Sequence, residues 1–332
     1  SAAVHDAGWQ MMQTGRQFSG GVNYPHAGAA MSYLRGRKTD LPPFVVLPET
    51  MGRGGGNLPN GQAGGFLGKA HDPFALMADP SKPEFQVPDL LPPDDIGTAR
   101  LNRRRRMRDV VDQTVKNFEA TENAQLLDKN FQAAFRLMTS SQARDAFDLS
   151  KEPKGIMDLY GKDAERPGSY ARNCILARRM AERGVRFIQV YHRAWDHHGG
   201  IKNNVKTTAG EVDKATAALI QDLKQRGLLE DTLVVFGGEF GRTPMAQGNG
   251  RDHHIKGYSM FMAGGGIKGG ISYGNTDELG YNAAENIFEI HDFHATMLHL
   301  LGIDHKKLTV KFQGRDYRLT DVHGNVVKEM LA

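Results

Sequence analysis

Apolar and polar residues alternate in blocks along the second half of the chain. From residue 169 onward, short apolar runs of strand length are separated by longer segments in which apolar residues recur every three or four positions. The short runs predict strands at 185–191, 233–236 and 258–262 and a further short strand near 271–273, and the longer segments predict helices at 169–183, 204–226 and 292–301. A serine at the start of the first helix and a glycine after each helix are typical cap and stop residues.

The order strand, helix, strand over residues 185–236 predicts a right-handed parallel crossover. In such a unit the two strands end at the same edge of the sheet. The sequence therefore predicts an α/β fold with a mostly parallel central sheet flanked by helices.

The first half of the chain has a weaker pattern. Residues 1–70 are predicted to be rich in loops, with one strand at Phe44–Leu47 between prolines. Residues 71–97 read as a proline-rich surface segment, and 98–147 contain two amphipathic helices. We therefore predict a single domain over residues 1–332, in which 71–150 form a largely helical insertion or cap.

Composition excludes some classes of function. The net charge of +4 is too small to require a nucleic-acid partner. The four arginines at 103–106 either bind phosphate or form a solvated helix face, and the absence of interleaved aromatic residues favours the second interpretation. No apolar run is long enough to span a membrane. The single cysteine, Cys174, cannot form an internal disulfide and has the pattern of a buried helix position.

Two polar loops follow the strands that the crossover places side by side. The first is WDHHGG at 195–200, and the second runs from GGEFGRTP to GRDHH at 237–254. Together they offer the following candidate ligands: Asp196, His197, His198, Glu239, Asp252, His253 and His254. Carboxylates and imidazoles in this combination suit zinc, manganese or iron, and Arg242 is placed to neutralise an anionic oxyacid group.

A purely structural interpretation of these loops competes with the metal site. Paired histidines in glycine-rich loops are often exposed, and Glu239 with Arg242 can form an ordinary salt bridge. His192 either joins the site or packs beside it, and His291 with His294 is better explained by packing on a helix that Asp292 caps. The convergence of two loops at adjacent strand ends favours a metal or oxyacid site.

Several motifs together resemble the domain of unknown function 1501 family: "ARRMAERGVRFIQVYH", "WDHHG", "LVVFGGEFGRTP", "GRDHH", "AGGGIKGGISYGNTDELG" and "HDFHATMLHLLGI". The resemblance is strongest over residues 169–324. It implies exported bacterial proteins that are often labelled sulfatase-like and are related to the alkaline phosphatase and sulfatase superfamily. That relation implies a central sheet and a site for one or two metal ions that hydrolyses phosphate or sulfate esters.

The resemblance also suggests individual roles. It implies Asp196, His198, Glu239 and His253 as metal ligands and Arg242 as the residue that binds the oxyanion. Phe240 stands where a second histidine ligand is expected, which leaves a second metal open. The superfamily nucleophile and an export signal would both lie upstream of residue 1, so the resemblance implies a chain without its N-terminal part. Thr243 is either a substitute nucleophile or a turn residue before Pro244.

The sequence thus leads to two expectations of different classes. The first is a hydrolase of phosphate or sulfate esters, on small molecules or polysaccharides, that depends on a divalent metal such as zinc, manganese or calcium. The alternative is a non-catalytic binding module that keeps the same fold. The resemblance implies a periplasmic or secreted location, and we expect neither a nucleic-acid partner nor an integral membrane segment.

Overall fold

The computed structural model describes residues 3–17, 20–52, 59–75 and 140–332, with five further positions between 100 and 107. Within this part there are seven α-helices and eleven strands. The helices are α1 (His5–Thr14), α2 (Ala27–Arg35), α3 (Ser141–Phe147), α4 (Lys154–Tyr160), α5 (Tyr170–Glu182), α6 (Ile201–Gln225) and α7 (Ile290–Leu300). The strands are β1 (Phe44–Leu47), β2 (Phe74–Ala75), β3 (Phe187–Val190), β4 (Val234–Phe236), β5 (Gly241–Arg242), β6 (His253–His254), β7 (Phe261–Ala263), β8 (Asn275–Thr276), β9 (Ala283–Glu285), β10 (Thr309–Phe312) and β11 (Arg315–Arg318).

The centre of the fold is a parallel sheet with the order β2-β1-β3. All four residues of β1 are buried, which fits its continuous run of apolar side chains. Helices cover both faces. α5 and α6 pack over Val45 and Leu47, and α2 packs on the other face, where Ala29 meets Phe44. The α/β class and the strand at 44–47 are therefore confirmed.

A large, mostly parallel central sheet is not found among the described residues. β4 pairs antiparallel with β7, whereas β3 pairs with β1, so the two strands of the predicted crossover are not hydrogen-bonded to each other. The remaining ladders are β5 with β6, β8 with β9 and β10 with β11, and all of them are antiparallel. The prediction was wrong because adjacency along the chain does not determine which backbone edges pair.

The helices of the second half agree with the sequence pattern. Ser169 caps α5 by accepting a hydrogen bond from the backbone N–H of Arg172 at 3.0 Å, and Gly184 ends it with φ 80°. α7 begins with a capping box formed by Glu289 and Asp292.

Other predictions need correction. α1 and α2 lie in the segment that was predicted to be loop-rich, and β2 lies in the predicted surface segment. The predicted strand at 258–262 is displaced to β7, and 271–273 is not a strand. The two helices expected within 98–147, with the arginines at 103–106, lie mostly outside the described residues; the described end of this range contains α3.

A buried network of charges joins α5 and α6 to the segment before α4. The guanidinium of Arg178, which is 1% exposed, donates to Glu152, Glu182 and Asp222 at 2.6, 3.0 and 2.8 Å. Glu182 lies one turn further along α5, Asp222 lies on α6, and Glu152 precedes α4. These three carboxylates compensate a positive charge that is otherwise costly to bury.

In the described part of the chain, no helix has both the length and the apolar character needed to cross a membrane.

Candidate metal centre

Three separate segments bring ligand-type side chains to one point. His5 is the first residue of α1, and Asp196 and His198 lie in the loop after β3. His253 lies in β6 directly opposite Arg242 of β5, so both side chains project from the same position of that ladder. The fold thus brings together side chains that are up to 248 residues apart in the sequence.

Asp196 is the centre of this cluster. Its Oδ1 lies 2.9 Å from His198 Nε2 and 3.1 Å from His253 Nε2, and its Oδ2 lies 3.1 Å from His5 Nε2. The two imidazole Nε2 atoms of His198 and His253 are 2.9 Å apart. Ligand atoms around a tetrahedral zinc ion with bonds of about 2.0–2.1 Å are roughly 3.3 Å apart, so these spacings are close to those of a coordination shell.

The second nitrogen of each histidine is held by an oxygen atom. His5 Nδ1 lies 2.6 Å from Glu239 Oε1, His198 Nδ1 lies 2.7 Å from Gln247 Oε1, and His253 Nδ1 lies 2.8 Å from a backbone carbonyl. Each oxygen accepts a hydrogen bond, which assigns the protons to Nδ1. All three Nε2 lone pairs then face the Asp196 carboxylate, and this is the arrangement of metal-bound histidines with outer-shell partners.

His5 Nε2 gives a further indication. It is buried and makes no hydrogen bond, although Asp196 Oδ2 is only 3.1 Å away. Two polar atoms that lie this close together but are not aligned for a hydrogen bond are placed as two ligands of one cation would be. The cluster of His5, Asp196 and His253 has ligand atoms within 4.8 Å of one another, and so does the cluster of His198, Asp252 and His253.

The charge state of Asp196 is set by its neighbours. Burial raises the pKa of this carboxyl, but the opposing effect of its neighbours, of which the hydrogen bond from the Arg242 guanidinium is the largest, holds the pKa well below its usual range. The shortest contact is from Arg242 Nη2 to Oδ1, at 2.6 Å. Asp196 is therefore an anion at neutral pH, as a metal ligand must be.

Arg242 also holds the two loops of the site together. Besides Asp196, its guanidinium donates to the backbone carbonyls of Trp195 and Arg251 at 3.2 and 3.3 Å. It thus cross-links the loop after β3 to the loop between β5 and β6. Glu239 likewise contacts His5, so in this geometry it orients a ligand.

Three other candidate histidines point elsewhere. His197 is buried against Thr208 at 3.2 Å, and His254 Nε2 lies 2.6 Å from the backbone carbonyl of Tyr281. His192 lies between Trp195 Nε1 at 2.9 Å and Glu211 at 3.1 Å, so it supports the loop that carries Asp196. The hydroxyl of Thr243 donates to a carbonyl two residues on, at 2.9 Å, as in a turn.

His5 was missed by sequence reasoning. It lies in a segment predicted to be loop-rich, far along the chain from the other ligands. A signal was present, because His5, Trp9 and Met12 recur at helical spacing. Aromatic rings surround the ligand: the ring of His5 lies 5.4 Å from Trp9 and 5.2 Å from Phe240.

The sequence was compared with family models, curated proteins and solved structures. Residues 1–331 match a family described as a protein of unknown function, DUF1501. The chain belongs to the DUF1501 family. No curated protein and no solved structure matches this DUF1501 protein significantly. The match covers essentially the whole chain, so α1 with His5 is part of the family domain together with both polar loops.

Proposed function

We propose that this DUF1501 protein binds a divalent metal ion through His5, Asp196, His198 and His253 and hydrolyses phosphate or sulfate esters. The observation that carries the proposal is the set of three Nε2 lone pairs directed at one carboxylate. Without a cation, lone pairs at such distances repel one another. A relation to the alkaline phosphatases and sulfatases, and a periplasmic or secreted location, are part of the same proposal and rest on the motif resemblance.

The residues of the proposed site have different roles. Asp196 supplies negative charge, and Arg242 keeps that carboxylate ionised and joins the two loops. Glu239 and Gln247 fix the ring orientations of His5 and His198. A divalent ion at this point would supply Lewis acidity toward an ester oxygen.

The site is open enough for a substrate. The side chains of Asp196 and His198 are 47% and 40% exposed, whereas His253 is 13% exposed. Trp195, which is 36% exposed, stands at the rim beside Asp196. An accessible face on an otherwise enclosed ligand set is typical of catalytic metal sites rather than structural ones. Small-molecule or polysaccharide esters are both compatible with this opening.

A non-catalytic, metal-holding binding module is the alternative. The observation that favours it concerns Thr243, whose hydroxyl is already used in two hydrogen bonds. It donates to the backbone carbonyl of Met245 and accepts from the backbone N–H of Asp252 at 3.2 Å. A hydrolase therefore has to use an activated water as its nucleophile, or a group outside the described residues.

Metal analysis combined with an ester panel tests the proposal. Purified protein should hold about one or two divalent ions per chain, and Asp196→Asn should lose them. Glu239→Gln should keep the ion but bind it about 10–100-fold more weakly, as expected for an outer-shell partner. Both tryptophans of the chain flank the site, so quenching of their fluorescence by Mn²⁺ or Co²⁺ gives the affinities.

The matched control is His299→Gln, which changes an exposed histidine of α7 and should alter neither metal content nor activity. The metal-loaded protein is then assayed on phosphate and sulfate monoesters and diesters. Hydrolysis that disappears with Asp196→Asn supports the hydrolase, and metal binding without any hydrolysis supports the binding module. A protein that takes up no divalent ion would contradict both.

A further inference from the structure

Trp195 has a large apolar side chain that is exposed at the rim of the candidate metal centre. The residue is 36% exposed, and it is followed directly by Asp196, the centre of the ligand cluster. A single exposed apolar side chain is ordinary on a protein surface and needs no explanation by itself. The way in which this indole is held distinguishes it from such a side chain.

The only polar atom of the indole is already used within the protein. Trp195 Nε1 donates to His192 Nδ1 at 2.9 Å. An indole has no other hydrogen-bonding atom. The exposed remainder of the side chain is therefore carbon surface, which a ligand can cover only by apolar contact.

A series of contacts fixes the position of the indole. Because Nδ1 of the neutral His192 accepts from Trp195, its ring proton is on Nε2, which lies 3.1 Å from Glu211 Oε2 of α6. The ring of Tyr170, the first residue of α5, meets His192 edge-on, with the ring centres 5.4 Å apart. The indole is thus tied through His192 to two helices, although an exposed side chain normally keeps much of its rotamer freedom.

The backbone directly before Trp195 is strained. Ala194 has φ 71°, in the left-handed region that residues with a Cβ atom rarely adopt. Alanine also lacks the short polar side chain through which asparagine or aspartate stabilises this conformation. Strain of this kind persists where the surrounding contacts impose it, and it is concentrated at active sites and ligand clamps. Here it lies immediately before the indole and the Asp196 carboxylate.

The indole and the ligand cluster are joined by one guanidinium. Arg242 Nη2 donates to the backbone carbonyl of Trp195 at 3.2 Å and to Asp196 Oδ1 at 2.6 Å. The Cα atoms of Trp195 and Asp196 are neighbours in the chain, about 3.8 Å apart, and both residues line the same pocket. A small molecule bound at the ligand cluster can therefore also contact the indole.

Charged groups at this rim can form hydrogen bonds beside the apolar surface. Glu49 follows β1 and Arg193 follows β3, and the parallel pairing of these strands places both residues at one edge of the sheet. Their side chains contact each other and are 54% and 74% exposed. Both line the same pocket as Trp195. The carboxylate accepts hydrogen bonds from hydroxyl groups, and the guanidinium donates to them.

A pyranose ring has the two properties that these surfaces require. The C–H groups of the ring form a flat apolar face, and the hydroxyl groups project from its edge. The face can cover an indole while the edge forms hydrogen bonds with charged groups beside it. An aromatic ring would use the indole but not the charged pair, and an open-chain polyol has hydroxyl groups but no preformed apolar face.

We propose that Trp195 is the stacking platform for a sugar ring, and that the substrate is the phosphate or sulfate ester of a carbohydrate. The position of the ester group at the metal centre rests on the proposed function, whereas the stacking itself requires no metal. Trp195 is then a specificity-determining residue, and His192 and Glu211 are positioning residues that act through it.

Saturation-transfer NMR on the purified protein tests the stacking with probes that contain no ester. The probes are the methyl pyranosides of glucose, galactose, mannose and xylose, with sorbitol as the open-chain control and phenol as the aromatic control. At least one pyranoside should bind and receive saturation mainly at the protons of one ring face. Trp195→Ala should weaken its binding about tenfold or more, as the loss of one stacked ring does. Trp9→Phe is the matched control at the other tryptophan and should keep the affinity.

Two variants of His192 test the positioning role. His192→Leu leaves the indole N–H without its acceptor and should weaken pyranoside binding. The amide oxygen of His192→Asn can take the place of Nδ1 and should restore the binding. Metal content, measured on the same samples, shows that the loop with Asp196 is intact. Equal pyranoside binding by the two variants would overturn the positioning role.

Hydrolysis assays separate this proposal from the proposed function. On the metal-loaded protein, Trp195→Ala should lower kcat/KM about tenfold more for esters of the bound sugar than for sorbitol 6-phosphate. Pyranoside binding that depends on Trp195, without hydrolysis of any ester, would support the platform and contradict the hydrolase. Ester hydrolysis combined with pyranoside binding that Trp195→Ala leaves unchanged would support the hydrolase and overturn the platform.

Three binding results would overturn the stacking platform. They are no binding of any pyranoside, equal binding by the unsubstituted protein and Trp195→Ala, and binding of sorbitol or phenol that is as tight as that of every pyranoside. The last result with phenol would identify an aromatic ring, rather than a sugar, as the group that covers the indole.

Discussion

Two buried histidines lie away from the candidate metal centre and have lowered pKa values. His26 is enclosed between α2 and β1, where its ring stacks on Phe44 at 4.7 Å. Burial, followed by the nearby charge of His294, lowers the pKa of His26 to about 3, and burial lowers the pKa of His294 to about 4. Both side chains are therefore neutral in the folded protein at pH 5.

This difference predicts a loss of stability in mild acid. Between pH 6.5 and about 4 the unfolded chain binds protons at these histidines and the folded chain does not, so the free energy of unfolding falls as pH falls. Each histidine contributes at most about 1.4 kcal/mol per pH unit. His26→Asn keeps an acceptor for the Gly28 amide but does not titrate, so its slope should be shallower by about that amount.

Urea unfolding of residues 1–332 between pH 7 and pH 4 measures the slopes. His299→Gln, on the exposed side of α7, should retain the slope of the unsubstituted protein. Identical slopes for that protein and for His26→Asn would show that His26 does not titrate in this way.

At the scale of elements, the candidate metal centre depends on a close contact between two loops. Gly250 pairs with Gln247 through two backbone hydrogen bonds of 2.9 Å. A Cβ atom on Gly250 would lie 2.1 Å from the backbone carbonyl of His198, which leaves room only for glycine. The loop that holds His198 through Gln247 thus also touches the backbone of His198.

Gly250→Ala is therefore expected to displace residues 198 and 199 and to weaken metal binding about 10–100-fold, as a lost outer-shell contact does. Metal titration by tryptophan fluorescence measures the change. Gly248→Asn is the matched control, because Gly248 has open space around it and asparagine tolerates its φ of 59°. Equal metal affinity in the two variants would contradict the proposed coupling of the loops.

At the scale of the whole molecule, the Arg178 network joins the helical layer. Glu152 and Asp222 are 3% and 1% exposed, and each loses one of its two guanidinium partners when Arg178 is removed, since Arg179 still contacts Glu152 and Arg226 still contacts Asp222. Arg178→Met should lower the free energy of unfolding by up to about 3–5 kcal/mol, because the two buried carboxylates are then only partly compensated.

Arg183→Met is the comparison, since this arginine is 22% exposed and its carboxylate partners are also partly exposed. Its effect on the urea midpoint should correspond to about 1 kcal/mol or less. Similar effects of the two substitutions would show that burial of the network does not matter for stability.

Local pattern predicted the elements whose burial is strongest. The strand at 44–47 and the three long helices of the second half have apolar residues at the spacing their structures require, and their caps are encoded within a few residues. α1 was not predicted because Gly8 and the polar residues around it obscure the helical periodicity of its apolar residues. That glycine lets α1 approach the loop after β4, since a Cβ there would lie 3.1 Å from Glu239.

The candidate site was predicted in part for the same reason. Asp196, His198 and His253 lie on loops that the crossover pattern placed at one edge, and the structure brings them together. Glu239 and Arg242 are also present, but their contacts with His5 and Asp196 depend on side-chain directions that spacing alone does not determine. His5 comes from a distant segment, and its proximity is a property of the folded chain.

The sequence by itself determined the α/β class, the main helices and the two polar loops, because these depend on periodicity, capping and turn residues within short stretches. The tertiary structure alone decided the position of His5 beside Asp196, the contacts of Glu239 and Gln247 with His5 and His198, and the separation of β3 from β4. These features depend on which strand edges and helix faces contact each other, although the residues involved are far apart in the sequence. A local pattern of apolar and polar positions does not determine such contacts.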